Sequence, residues 1–206
     1  MLHRAVECGN PVFSSRKMHM QNTIPQHAKR VFRGIIFDVW QWEQKMFDGS
    51  MQTFEKLKRL NTAQVVAIVG DKIVLQIEEQ PDRKQSFLSM PGGRFDEGEE
   101  PLEAARRELL EETGYTSNDW QLWKETNPVH KIEWTVYTYI ARNCLRKESP
   151  HLDAGERIET RLVDFEEFMK IATEDPDFYS PEIVSDLLRM QLDPAKKEAF
   201  RTLLFG

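Results

Sequence analysis

Residues 93–115 read GRFDEGEEPLEAARRELLEETGY, a glycine-rich loop running into a segment that ends in a knot of carboxylates. The second part predicts a helix over Pro101–Thr113, with proline at an early helical position, Leu102, Ala105 and Leu109 on one side, and Gly114 as the stop. The opposite side is heavily acidic. Glu108, Glu111 and Glu112 stand at i, i+3 and i+4, within about a third of the helix circumference. Like charges at that spacing cost on the order of a few tenths of a kcal/mol per pair, so a cation is expected among them. Arg107 offsets part of the charge, and oxygen-rich clusters of this kind suit hard divalent ions such as Mg²⁺ or Mn²⁺. The plainer reading is a solvated acidic helix face. Gly92 and Gly93 allow a close backbone approach that few other residues permit.

Upstream, residues 63–69 form a continuous apolar run, Gly70-Asp71-Lys72 is a turn, and residues 73–77 return as a second buried strand at the centre of a mixed sheet. Residues 31–40 read as one strand, and Asp48-Gly49 as a hairpin turn into a strand at 51–57. Downstream, residues 134–141 alternate as a strand, 160–163 form a short one, and Asp164 caps a helix over 165–172. Ser180-Pro181 and Asp193-Pro194 each place a cap and a first-turn proline ahead of helices over 182–190 and 195–204. Strands alternating with helices give an α/β class. The organisation read from this pattern is an arm at 1–30 with Met18 and Met20 as candidate starts, a strand extension at 31–62, a core at 63–175 and a helical extension at 176–206.

The whole chain bounds what this core serves. With 206 residues it suits one decorated domain, and 40% hydrophobic residues with 5 Trp and 12 Phe describe a chain that packs a core. Net charge is −6 and basic runs are pairs such as Arg106-Arg107 and Lys196-Lys197, so nucleic acid is not expected as a partner. Cys8 and Cys144 match neither a disulfide framework nor metal-ligand spacing. With no long apolar span and no apolar signal region, the expectation is a cytoplasmic protein without a membrane partner.

Gly93, five residues, Glu99, seven residues, then Arg107-Glu108-Leu109-x-Glu111-Glu112-x-Gly114-Tyr115 resembles the Nudix box at every fixed position. The resemblance implies an α/β/α Nudix sandwich with a mixed central sheet, an N-terminal antiparallel strand extension and C-terminal helices. It also implies a hydrolase that splits the pyrophosphate bond of a nucleoside diphosphate derivative with Mg²⁺ or Mn²⁺. Glu108 and Glu112 would be metal ligands, Glu111 a ligand or orienting group, and the Gly92 carbonyl a further oxygen, with Arg107 and Glu99 in support. The acidic loop at 152–159 would supply another ligand or the base that activates water. Glu156 is the first choice there, ahead of Glu159 and Asp153.

The flanks VFRGIIFDVW, MQTFEKLKRL, AQVVAIVGDKIVLQIEEQPD and MPGG are similar to the ADP-ribose pyrophosphatase branch over residues 31–172. That similarity implies ADP-ribose or a related nucleoside diphosphate sugar as substrate, and a homodimer. Arg94 and Pro128 become substrate-binding candidates. Phe37, Trp40 and Trp42 read as adenine-stacking, interface or plain strand-packing residues. Gln76, Glu78 and Gln80 occupy a segment that touches substrate in related enzymes, here with fewer cations. His130 and Glu133 receive no role. GDP-mannose, a dinucleotide coenzyme or a nucleoside triphosphate remain as other substrates, and a nucleotide-sugar sensor without turnover as a different class.

Overall fold

The computed structural model describes residues 23–152 and 154–206. The candidate starts Met18 and Met20, Cys8, most of the 1–30 arm and Asp153 lie outside the described residues. In chain order the elements are β1 (Lys29–Arg33), β2 (Asp38–Lys45), β3 (Met51–Lys58), β4 (Thr62–Val69), β5 (Lys72–Glu79), β6 (Phe87–Ser89), β7 (Gly92–Arg94), α1 (Pro101–Thr113), β8 (Tyr115–Thr116), β9 (Asp119–Thr126), β10 (Ile132–Glu133), β11 (Val136–Arg142), β12 (Leu145–Arg146), β13 (Arg157–Val163), α2 (Phe165–Glu174), α3 (Pro181–Gln191) and α4 (Pro194–Phe205). None of these helices is long and apolar enough to cross a membrane.

The central sheet is mixed, in the order β13-β5-β4-β11-β9, with β4 and β11 parallel and the other neighbours antiparallel. Strand alternation builds its two-sided core. On one face Ala63, Val65, Ala67, Val74, Tyr139 and Ala141 meet Ala104, Ala105 and Leu109 of α1. On the other, Val66, Ile68, Ile73, Leu75 and Ile140 meet Phe168 and Met169 of α2, Ile183 and Leu187 of α3, and Phe200 and Leu204 of α4. This is the expected α/β/α sandwich. Full burial of an aliphatic or aromatic side chain contributes about 1.5–3 kcal/mol, so α3 and α4 are held to the sheet by the same kind of packing as α2.

One irregularity shapes the molecule's working end. β4 and β5 pair only beside their turn, at Ile68↔Ile73 and Val69↔Lys72. They then part, and the chain at 87–94 enters the opening, with β6 on β5 and β7 on β4. The split brings Gly92 and Gly93 beneath α1.

Several elements differ from the sequence reading. The strand expected at 31–40 is two strands joined by a tight turn, closed by the Gly34 N–H donating to the Phe37 carbonyl at 3.0 Å. Its apolar character misleads because Ile35 and Ile36 sit exposed on that turn. The strand expected at 134–141 starts at Val136, since Ile132–Glu133 pairs in parallel with β3 in the N-terminal sheet, ordered β1-β2-β3-β10. Trp134 and Thr135 carry the chain between sheets, donating to Thr62 Oγ1 at 3.0 Å and Asn61 Oδ1 at 2.9 Å. β9 escapes a hydrophobic reading because it is a polar edge strand, and β13 runs back to Arg157 with charged residues facing water. Asp164 and Asp193 cap α2 and α4 as expected, accepting from Glu167 N, and from Ala195 N and Lys196 N. Ser180 does not cap α3; its hydroxyl donates instead to the Tyr179 carbonyl at 2.8 Å.

The small residues of α1 set its distance from the sheet, and Ala105 is fully buried there. Ala105→Leu is expected to lower stability by about 1–3 kcal/mol through overpacking. The matched change at exposed Ala195 should stay within about 0.5 kcal/mol. Urea unfolding of the two variants checks this, and equal midpoints would contradict close packing of α1.

Candidate active site

The acidic residues of α1 divide in two. Glu108 and Glu112 lie in the buried face with Ala104, Ala105, Leu109 and Thr113, while Glu111 keeps about half of its side chain in solvent, at 46%. A solvated acidic face therefore does not describe Glu108 and Glu112. They turn inward because the surface below them is backbone. A Cβ built on Gly93 would stand 2.4 Å from Glu108 Oε1, and one on Gly92 would stand 2.3 Å from the Ala63 carbonyl oxygen. Any side chain at either position would displace the carboxylate or split β7 from β4.

Each carboxylate has its own support. Glu112 Oε2 accepts from the Gly92 N–H at 2.8 Å and from Gln76 Nε2 at 2.9 Å. Gln76 is fully buried on β5, and the Ser89 hydroxyl lies between Gln76 Oε1, at 3.2 Å, and Glu78 Oε1. Arg107 grips both oxygens of Glu99 at 2.9 and 3.0 Å, donates to Glu108 Oε1 at 2.9 Å and Glu111 Oε2 at 3.0 Å, and reaches the Arg94 carbonyl at 3.1 Å. The guanidinium thus ties the loop before α1 to the carboxylates of its last turns.

Arg107 does not cancel the buried negative charge. Burial pushes the Glu108 carboxyl up to about 7, against the pull of Arg107 and with added repulsion from Glu111 and Glu156. Burial also holds Glu112 well above the ordinary carboxylate range, opposed by the hydrogen bond from Gln76, and raises Glu78, whose neighbour Glu156 adds repulsion. Among the described residues, no three Asp, Glu, His or Cys side chains converge on one point as a ready ligand set. The donors nonetheless suit a hard divalent ion, being carboxylate oxygens in a site short of positive charge. A bound cation would compete with Arg107 for Glu108 and Glu111 and with Gln76 for Glu112.

A cleft gathers Gly92, Gly93, Arg94, Arg107, Glu108, Glu111, Glu112 and Glu156. Of the sequence-derived candidates, Pro128 stands apart, on an exposed stretch after β9 and outside this lining. Glu159 is exposed on β13 and also lies outside it. Phe37 lines the cleft, whereas Trp42 is buried in the N-terminal sheet with its ring 6.1 Å from that of Phe54. Trp40 is half-buried under the Arg30 guanidinium at 6.0 Å. Glu133 has a structural part, pairing with Lys58 at 2.5 Å, and His130 is exposed.

Sequence reasoning missed Arg59, Ile36 and His151 in the same lining. The Arg59 guanidinium lies 4.6 Å from the Trp134 ring and 5.7 Å from Phe37, and its Nε is buried without a hydrogen-bond partner among the described residues. No local pattern marks it, because Trp134 reaches it only through the crossing between sheets.

A model of the NUDIX domain matches residues 58–181. The chain is similar to an ADP-ribose pyrophosphatase of Bacillus subtilis (strain 168), 27% identical over 173 residues, covering 81% of this chain and 91% of that protein. It is also similar to a methanol dehydrogenase activator of Bacillus methanolicus, 24% identical over 185 residues, covering 88% of this chain and 98% of that protein. A crystal structure of an ADP compounds hydrolase superposes with a TM-score of 0.66 at 26% identity, over 84% of this chain and 95% of that one.

The raised carboxyls tie stability to pH. A carboxyl whose pKa is higher in the folded state contributes stability that is complete below its unfolded value, near 4.5, and lost as pH rises through about 7 for Glu108. In EDTA, unfolding free energy should fall across that window by on the order of 3 kcal/mol, and Glu108→Gln should flatten the fall. Denaturant titrations at pH 5 and pH 8 measure it; a wild-type protein as stable at pH 8 as at pH 5 would contradict the buried charge.

Proposed function

The chain belongs to the Nudix family, and from that premise we propose that it hydrolyses the pyrophosphate bond of a nucleoside diphosphate sugar such as ADP-ribose, giving a nucleoside monophosphate and a sugar phosphate. The observation that carries this reading is the pair of buried carboxylates, Glu108 and Glu112, packed over the glycine backbone in an open cleft that also holds Arg59 and Arg94. The relatives whose names specify ADP-linked compounds support the choice of substrate.

In this reading Glu108, Glu111, Glu112, Glu156 and the Gly92 carbonyl hold Mg²⁺ or Mn²⁺. When bound, such ions neutralise the diphosphate and lower the pKa of a water that serves as nucleophile. The chain's own residues do the rest. Gln76 and the Gly92 N–H fix the Glu112 carboxylate, and Arg107 with Glu99 fixes the loop before α1. Arg59 and Arg94 offer guanidinium N–H groups to the diphosphate oxygens. Glu156, half-buried in the same cleft, accepts the proton of the attacking water. Phe37, with Trp134 behind Arg59, gives the nucleobase an apolar face.

The reading extends to organisation. The strand extension at 31–62 is the dimer element, since it exposes Val31, Phe32, Ile35, Ile36 and Phe47. Residues 63–175 are the catalytic core and 176–206 its helical cover. The low cysteine count and the buried thiol of Cys144 go with a cytoplasmic protein.

Incubation with ADP-ribose, GDP-mannose, NADH and a nucleoside triphosphate, in Mg²⁺ or EDTA, separates the substrates when products are resolved by chromatography. AMP should appear from ADP-ribose in Mg²⁺ only, and Glu112→Gln should reduce the rate by about a hundredfold or more. Tight binding of nucleotide sugars without turnover of any of them would reject hydrolysis in favour of a sensor.

A further inference from the structure

A second cleft, lined by no α1 residue, opens between the loop joining β5 to β6 and the loop leading into β13. Glu156 lines both clefts. Their relation is set by the sheet: β5 and β13 pair up to Glu79↔Arg157, and beyond that last pair the chains diverge and the cleft begins.

Its wall differs chemically from that of the first. Arg83, Lys84 and Arg157 face it with the neutral donors Gln80 and Gln85. Arg157 meets Glu79 at 3.4 Å across the ladder. Neither Arg83 nor Lys84 has a carboxylate within ion-pair distance among the described residues. Arg83 is instead held by rings, its guanidinium 4.0 Å from the Phe87 centroid and 4.4 Å from Tyr179, while its backbone N–H donates to Gln80 at 3.0 Å. The platform is itself fixed, with the two rings edge to face at 5.9 Å and the Tyr179 N–H donating to the Leu88 carbonyl at 2.7 Å. An arginine positioned by aromatic faces keeps its N–H edge available to an anion. Among the described residues the wall contains no aromatic side chain, since Phe87 and Tyr179 carry Arg83 and do not line the cleft.

We propose that this second cleft binds the end of the substrate remote from the nucleoside, and that this end is a sugar bearing an anionic group such as a phosphate, recognised by Arg83 and Lys84. The proposal rests on the hydrolase reading above and narrows it. A diphosphate lying against the α1 carboxylates passes Glu156 to reach the second cleft. There, hydroxyls meet Gln80 and Gln85 and an anionic substituent meets the two cations. A second nucleobase would find no ring among the described lining residues to stack on, so a dinucleotide is disfavoured.

Steady-state kinetics of the full chain in Mg²⁺, with ADP-ribose and with ADP-ribose phosphorylated on its terminal ribose, test this. In the wild type KM should be about tenfold lower for the phosphorylated compound. In Arg83→Ala and in Lys84→Ala that ratio should move toward one. A wild-type ratio of one, or a ratio kept by both variants, would overturn the subsite. Calorimetric titration with ribose 1-phosphate, which lacks the 5-phosphate that belongs to the diphosphate, and with ribose in EDTA separates this failure from failure of the hydrolase reading. A protein that cleaves neither substrate but binds ribose 1-phosphate about tenfold tighter than ribose, through Arg83, keeps the subsite and loses the activity. Equal binding of the two sugars, or binding unaffected by Arg83→Ala, overturns the subsite whatever the chain hydrolyses.

Discussion

Glu112 places a carboxylate in the interior of the molecule, where one of its oxygens accepts from the Gly92 N–H at 2.8 Å and from Gln76 Nε2 at 2.9 Å. Two neutral donors orient such a group without neutralising it, and a buried carboxylate left in that state is costly unless it is protonated or meets a cation. The surrounding architecture maintains this condition. The parting of β4 and β5 admits β7, Gly92 lets β7 lie close against β4, Gly93 leaves room for Glu108, and the alanines of α1 bring the helix down onto the sheet. Arg107 is drawn to Asp96, Glu99 and Glu111 as well as Glu108, so it shares its charge among four carboxylates. A cleft built this way answers to two ligands, a proton at low pH and a hard cation at higher pH.

Much of this was legible in the sequence. The helix from Pro101 to Thr113 follows from its proline, its apolar spacing and Gly114, and the structure places it at those residues. Gly92, Gly93, Arg107, Glu108, Glu111, Glu112 and Glu156 line one cleft. What could not be read is where the acidic side of α1 points. Periodicity sets Glu108, Glu111 and Glu112 on one flank of the helix, but only the glycine floor and the partner Gln76 draw two of them inside. Gln76 itself looks like an ordinary polar residue in a buried strand, and its role depends on β5 being separated from β4 at that height.

The N-terminal region resisted reading for a related reason. Ile35 and Ile36 continue an apolar run, yet they occupy a turn whose other features are set by the hairpin, and Ile36 lines the cleft beside Phe37 and Arg59. Arg59 and Trp134 are 75 positions apart in sequence and meet because β10 joins β3 before β11 enters the central sheet. Local patterning carries no record of such crossings. Pro128 illustrates the converse, a candidate suggested by a motif that in this chain lies on an exposed stretch outside the cleft.

The most direct test of a carboxylate site short of positive charge is to locate a divalent ion in it. Crystals of the full chain grown at pH 8 with Mn²⁺ and measured for anomalous scattering should show manganese against Glu108 and Glu112, and the peak should vanish in Glu112→Gln. Manganese bound only elsewhere, or bound identically in the variant, would contradict the account.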